Sequence, residues 1–266
     1  MTSTKDQLQS LLDSSGFPFQ SAVTEKIRLS PNQHEYWVYL SEHPWQSSIS
    51  SESGFIDLVI ERGCVRIVIE CKRSKGGTWL FTVPHKSEPN VGTARLPWQG
   101  RNPSPVKYGV AEFLISPLTY QSRECIIRGQ DDDNRTLLER LGSKLLHSID
   151  ALMRESERIA ESPDLSPYVY IPCIITTAEL VVAKVDPLQV SLEDGTVSDF
   201  EYDTVDYIMF RKSLVTDLST GAAPADLADS NKDKERTLLI VNSKNIDSTL
   251  EHVAVNLKRG MSPALW

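Results

Sequence analysis

The sequence predicts an α/β fold, with a mixed β-sheet flanked by helices. Three features carry that expectation: apolar residues at helical spacing near the N-terminus and over 135–160, short runs of β-branched and aromatic residues at 36–42, 55–60, 65–72 and beyond 165, and no linker that divides two self-sufficient cores. The expected organisation is one α/β domain over 1–266. Its core centres on 17–160, and C-terminal strands and a helix at 165–266 pack on that core or extend it.

The elements follow in order. Residues 4–13 place Leu8, Leu11 and Leu12 at helical spacing before Ser14-Ser15-Gly16 stops the pattern. A second helix is expected over Pro18–Leu29, with Phe19, Val23 and Ile27 on its buried stripe. Tyr36–Glu42 reads as a strand, and after a Ser-rich break two more strands are expected at Phe55–Ile60 and Val65–Lys72. Residues 74–107, with several prolines and the basic Lys86, Arg95, Arg101 and Lys107, read as an exposed loop-rich insertion. Leu138, Leu141, Leu145, Ile149 and Leu152 predict a long helix over 135–160, capped by Asp131–Asp133. Further strands are expected within 168–185 and 205–215, with a turn at 191–200. A flexible loop is expected at 216–236, and the chain closes as strand, turn and helix.

With 266 residues, 40% hydrophobic and 24% charged, the chain is able to bury a core. Its net charge of −8 gives no general attraction to phosphate, so nucleic-acid contact requires a local cluster of Lys and Arg. The four cysteines form no CxxC pair and have no histidines at zinc-finger intervals, which predicts free thiols. No run approaches the roughly 18 apolar residues of a membrane span, and the N-terminus lacks a signal-peptide layout. A cytoplasmic protein without a membrane partner is expected. GxxxxGK[ST], GxSxG and HExxH motifs are absent, so energy coupling would have to come from a partner.

The chemistry concentrates in residues 54–73, GFIDLVIERGCVRIVIECKR. Two strands joined by a turn around Glu61–Cys64 form a hairpin, and if Ile60 faces Val65 then Asp57 lies opposite Val68. Strand side chains alternate, so Asp57, Glu70 and Lys72 share one face, while Ile56, Leu58, Ile60, Val65, Ile67, Ile69 and Cys71 make the other apolar. Two adjacent carboxylates at the edge of a buried sheet repel unless a cation compensates them. Mg²⁺ takes oxygen ligands at about 2.0–2.1 Å and keeps several waters, so two carboxylates and a phosphate oxygen suit it. Lys72 then positions the attacking water and stabilises transition-state charge.

This segment resembles the PD-(D/E)XK phosphodiesterase superfamily. In that pattern an acid on one hairpin strand precedes an acid-x-Lys on the next; Asp57 matches the first and Glu70-Cys71-Lys72 the second. Residues 17–75, roughly a fifth of the chain, carry the resemblance. The helix before the sheet matches a Phe-Glu-x-x-Val context as Phe19-Gln20-Ser21-Ala22-Val23, with Gln20 in place of the commoner Glu, and Ile56 replaces the Pro of the family name. The resemblance implies a restriction-endonuclease-like core and a Mg²⁺-dependent DNA endonuclease, with Mn²⁺ as a substitute ion and a role in restriction or antiviral defence. A separate ATPase or recognition subunit and a homodimer are the partners it implies. A catalytically inactive module that binds nucleic acid or a partner is the alternative.

Asp57, Glu70 and Lys72 are the catalytic candidates, Asp57 and Glu70 the metal ligands, with Glu42 as a further acid and Gln20 as a supporting residue. Glu25 falls off the buried stripe and is expected to be solvent-exposed. Arg73 and Lys75, beside Gly76-Gly77, are candidates for phosphate contact. Trp45, Trp79 and Trp98 are either base-stacking groups or buried anchors. Gln130, Arg135 and Lys144 reach the site only if the long helix packs beside the hairpin. His34 and His43 show no metal-ligand spacing.

Overall fold

The computed structural model describes residues 4–30, 35–47, 51–74, 77–101, 106–127, 136–159, 168–214 and 225–257. Two helices, α1 (Thr4–Ser14) and α2 (Phe17–Leu29), precede three antiparallel strands, β1 (Trp37–Gln46), β2 (Ser53–Arg62) and β3 (Val65–Lys72). Next come β4 (Thr78–Pro84), β5 (Asn90–Arg101), β6 (Val106–Thr119), β7 (Gln121–Ser122) and β8 (Glu124–Ile127), and then the long helix α3 (Leu137–Ile159). The C-terminal part contributes β9 (Tyr168–Thr176), β10 (Glu179–Val185), β11 (Glu201–Val205), β12 (Tyr207–Ser213), α4 (Leu227–Lys234), β13 (Glu235–Asn242), α5 (Ile246–His252) and β14 (Ala254–Leu257).

Among the described residues ten strands form a mixed sheet whose main path runs β1-β2-β3-β9-β13-β12-β7, with β5, β6 and β14 branching from β9. Strand β9 is parallel to both β3 and β13, and the chain between β3 and β9 carries α3, as parallel neighbours require a long crossover. A second sheet, β11-β10-β4-β8, holds four strands. The α/β architecture with a mixed sheet is thus observed. C-terminal strands β9 and β13 occupy its middle, and every residue of β13 is buried, the double-sided burial of a central strand.

Each face of the large sheet has its own core. On one, Val59, Val68, Tyr170, Ile174 and Leu238 pack against α3 and the four-stranded sheet. On the other, Leu58, Ile60, Ile67, Ile69 and Ile171 pack against Val23 and Ile27 of α2 and Ile246 and Leu250 of α5. Helix α3 comes close to β13 at Gly142, where a Cβ would lie 2.6 Å from Leu238 Cδ1. By contrast α1 buries nothing, and Leu8, Leu11 and Leu12 are exposed. Among the described residues no helix is long and apolar enough to cross a membrane.

The structure corrects several expectations. Residues 74–107 are mostly strand: Trp79, Phe81 and Val83 alternate inward along β4, and β5 pairs with β6 along its length. Prolines suggested loop there, but Pro97 sits where β5 pairs only with β6, so no ladder bond is lost on a second side. Strand β1 runs past Glu42 through Pro44 and Trp45, again with a partner on one side only. Within 216–236, α4 and the start of β13 replace the expected loop, residues 215–224 lying outside the described residues. Strand β14 follows the final helix and pairs with β6. Asp131–Asp133 lie outside the described residues.

Candidate active site at the open end of the hairpin

The hairpin turn is tighter than the sequence suggested. Arg62 pairs with Val65, so the turn contains Gly63 and Cys64 alone, and Gly63 takes φ +56°, a left-handed value that glycine adopts without strain. The register is displaced by two residues from the expected one: Ile60 faces Ile67 and Leu58 faces Ile69. A two-residue displacement preserves side-chain parity, so Asp57, Glu70 and Lys72 remain on one face. Continued by one step, the ladder sets Asp57 opposite Glu70 rather than opposite Val68.

The pairing stops at Leu58↔Ile69, and beyond it the Asp57 side chain stands in for the ladder. Asp57 Oδ2 accepts the Cys71 amide N–H at 2.7 Å, and Gln20 Nε2 donates to the Asp57 carbonyl at 3.3 Å. Gln20 therefore holds the backbone of the acid from α2. On the other flank, Ser41↔Leu58 and His43↔Ile56 bracket Glu42 against Asp57. Glu42 has φ +52°, a conformation that costs a non-glycine residue on the order of 1–3 kcal/mol. Glu42, Asp57 and Glu70 thus occupy one row across three neighbouring strands.

Asp57, Glu70 and Lys72 line an open cleft of ≈ 320 Å³, together with Arg73 and the α1–α2 junction at Gly16 and Phe17. Burial pushes the Asp57 carboxyl above the usual carboxylate range; the Cys71 amide and Lys144 pull it back, and Glu42 raises it further. Burial likewise raises Glu70, and Asp57 adds to it, against the opposing pull of Lys144 and Lys72. Lys144 comes from α3, which does pack beside the hairpin. Among the described residues, neither Lys72 nor Lys144 has a carboxylate within ion-pair distance. Burial also drives the neighbouring Cys71 thiol far up, which leaves it unreactive.

The remaining candidates separate. Arg73 lines the cleft but shares its charge with Asp13 at 3.7 Å. Glu42 is exposed and reaches Asp57 through its charge alone, and Glu25 lies with it in the adjoining cavity. Lys75, Gln130, Arg135 and His34 lie outside the described residues. His43 Nε2 is 2.8 Å from Glu155 Oε2. Trp45 and Trp79 are 6% and 1% exposed and serve as core anchors, while Trp98 is half-buried against the opposite core. Among the described residues no group of three or more His, Cys, Asp or Glu side chains is close enough to hold a metal ion. The four cysteines are unpaired. Sequence reasoning left Lys144 open, because no local pattern reports which side chain a remote helix delivers to a strand.

Comparison with known proteins found no matching family, no matching curated protein and no matching solved structure.

Proposed function

We propose that the chain is a metal-dependent phosphodiesterase that cleaves DNA, with Asp57, Glu70 and Lys72 as its catalytic residues. One observation carries this reading: one step past the end of a buried ladder Asp57 falls opposite Glu70, both raised by burial, with two cations beside them that have no carboxylate partner among the described residues. Such an arrangement is costly for the protein alone and is relieved by a divalent cation. The resemblance of Asp57 and Glu70-Cys71-Lys72 to the PD-(D/E)XK pattern and the mixed sheet flanked by helices support it. An endonuclease in restriction or antiviral defence is the context that the resemblance favours.

The donor set fits a hard cation. Both ligands are carboxylate oxygens, and since Asp57 Oδ2 is already committed to the Cys71 amide, its second oxygen and Glu70 would hold the ion, which suits Mg²⁺ or Mn²⁺. When bound, the ion supplies charge neutralisation and polarisation of the scissile phosphate. Lys72 orients the water and offsets charge on the phosphoryl oxygens, with Lys144 adding a second positive charge from α3. Hydrolysis joins the water oxygen to phosphorus, breaks the bond to the leaving strand oxygen and delivers a water proton to that oxygen.

Purified protein with Mg²⁺ or Mn²⁺ is expected to cut plasmid, linear or single-stranded DNA, and Glu70→Gln is expected to abolish the cutting. If none of these substrates is cut, including with any complex partners present, the reading is lost. The non-cutting module that binds nucleic acid or a partner then takes its place.

A further inference from the structure

We propose that α3 and the β1–β2 hairpin form a track for one unpaired nucleic-acid strand, which leads along Arg158, Arg154, Lys144 and Arg140 past the carboxylate pair. This rests on the preceding reading and assigns that site its substrate form. Two cavities, of ≈ 580 Å³ and ≈ 390 Å³, lie side by side between α3 and the hairpin and share Trp45 and Ser53 as lining residues. Arg154 and Arg158 line the first, and Arg140, Lys144 and His147 line the second. A Cβ at Gly54 would come within 3.2 Å of Trp45 Nε1 and 3.5 Å of Lys144 Cε, so the missing side chain is what keeps the junction open.

The spacing makes the lining continuous. Positions 140, 144, 147, 151, 154 and 158 advance by alternating steps of four and three, which keeps them on one stripe of a helix. Four of the six are Arg or Lys, one is His and one is Ala, in a chain whose net charge is −8. Two acids enter the same cavities, and each sits against a histidine: Glu155 Oε2 is 2.8 Å from His43 Nε2, and Glu52 Oε2 is 2.9 Å from His147 Nδ1. Arg154 is held by Asp150 at 3.0 Å and lies over the Tyr108 ring at 5.3 Å. Arg140, Lys144 and Arg158 are exposed and, among the described residues, have no ion-pair partner. A local positive stripe on an acidic protein concentrates a polyanion where the global field repels it.

A single strand fits the track better than a duplex does. The stripe is sunk between one helix and one hairpin, and its wall presents the Phe55 ring, 61% exposed, as a stacking surface for an unpaired base. From Arg140 to Arg158 the helix rises about 27 Å, the length of about eight nucleotides at B-form rise and about half that number when extended. Lys144 joins the track to the site: its Cε lies against Gly54, three residues before Asp57 on β2, and its charge acts on both carboxylates.

The test is fluorescence anisotropy of the full chain in EDTA with a labelled oligothymidylate and with a duplex of the same length. The expected result is tighter binding of the single strand. Arg140→Glu combined with Arg158→Glu should weaken it by about tenfold or more and lower the salt slope by about 1.4, while Phe55→Ala weakens it by about tenfold without changing that slope. Equal single-strand affinity and salt slope in the double variant, or a wild-type preference for the duplex, overturns the track. Strand binding by a wild-type protein that cuts nothing supports the track and sinks the phosphodiesterase reading alone, whereas undiminished cutting of single strands by the double variant overturns the track alone.

Discussion

At the turn end of the β2–β3 hairpin, Glu61 and Arg66 face each other across the strands, 7% and 5% exposed, and meet at 2.7 Å. The Arg66 guanidinium lies 3.8 Å from the Tyr168 ring centroid and 4.3 Å from that of Tyr39, and it donates to the Tyr170 hydroxyl at 3.2 Å. At the open end of the same two strands, one step beyond the last paired residues, Asp57 falls opposite Glu70 instead, with like charges and with the Cys71 N–H donated to one Asp57 oxygen. Both ends place charge in a desolvated ladder. At the first an opposite charge across the strands offsets the burial; at the second the Cys71 amide, Lys144 and Lys72 offset it only in part, and both carboxyls stay raised. Burial alone therefore does not distinguish the two ends of the hairpin; the sign of the facing charge does.

The largest effect that sharpens this contrast is catalytic. Lys72→Ala is expected to cut DNA about 10²–10⁴-fold more slowly while melting close to wild type, as judged by initial rates beside a thermal scan. A variant that cuts as well as wild type removes Lys72 from the mechanism. Next in size, Glu61→Ala strands the buried Arg66 charge and should lower unfolding stability by about 3–5 kcal/mol in urea titration. A loss below about 1 kcal/mol would show that the tyrosines hold Arg66 unaided.

The open end should respond in the opposite sense. Glu70→Gln removes a charge that burial and Asp57 disfavour, so the metal-free protein should melt higher than wild type at neutral pH. Because the folded-state pKa is raised, the Glu70 contribution to stability is fully present below the ordinary carboxylate range and is lost as pH rises through the raised value. The gain from Glu70→Gln is accordingly absent in acid and grows above that range; a gain that is equal at every pH, or a loss in EDTA, argues that protein groups already compensate the pair. Addition of Mg²⁺ should raise the melting temperature of wild type more than that of Glu70→Gln. Smallest of all, Gly63→Ala forces a side chain into φ +56° and should cost about 1–2 kcal/mol with no change in the cutting rate per folded molecule.

Much of this geometry is legible in the residues. Alternation along 54–73 places Asp57, Glu70 and Lys72 on one face under either register, because parity survives a displacement by two. The exact opposition does not, since a turn around Glu61–Cys64 and a turn of Gly63-Cys64 produce similar apolar faces, and only the paired backbone separates Val68 from Glu70 as the position across from Asp57. Strands β4 to β6 were obscured because prolines and basic residues imitate loop composition; their alternation acquires meaning only once a second sheet exists to receive Trp79, Phe81 and Val83. The tryptophans were ambiguous for a related reason, as ring size suits both a stacking surface and a core anchor.

Local periodicity by itself determined the elements of the hairpin, the helix α2 that holds Gln20, the long helix α3 and the polar face on which the acids sit, since those depend on neighbours close in the chain. Tertiary structure alone decided that α3 delivers Lys144 to the carboxylates, that Glu42 falls into their row and that β9 and β13 lie at the centre of the sheet. These are contacts between residues far apart in sequence. They are settled by which apolar faces can be buried together, a property of the assembled layers rather than of any one segment.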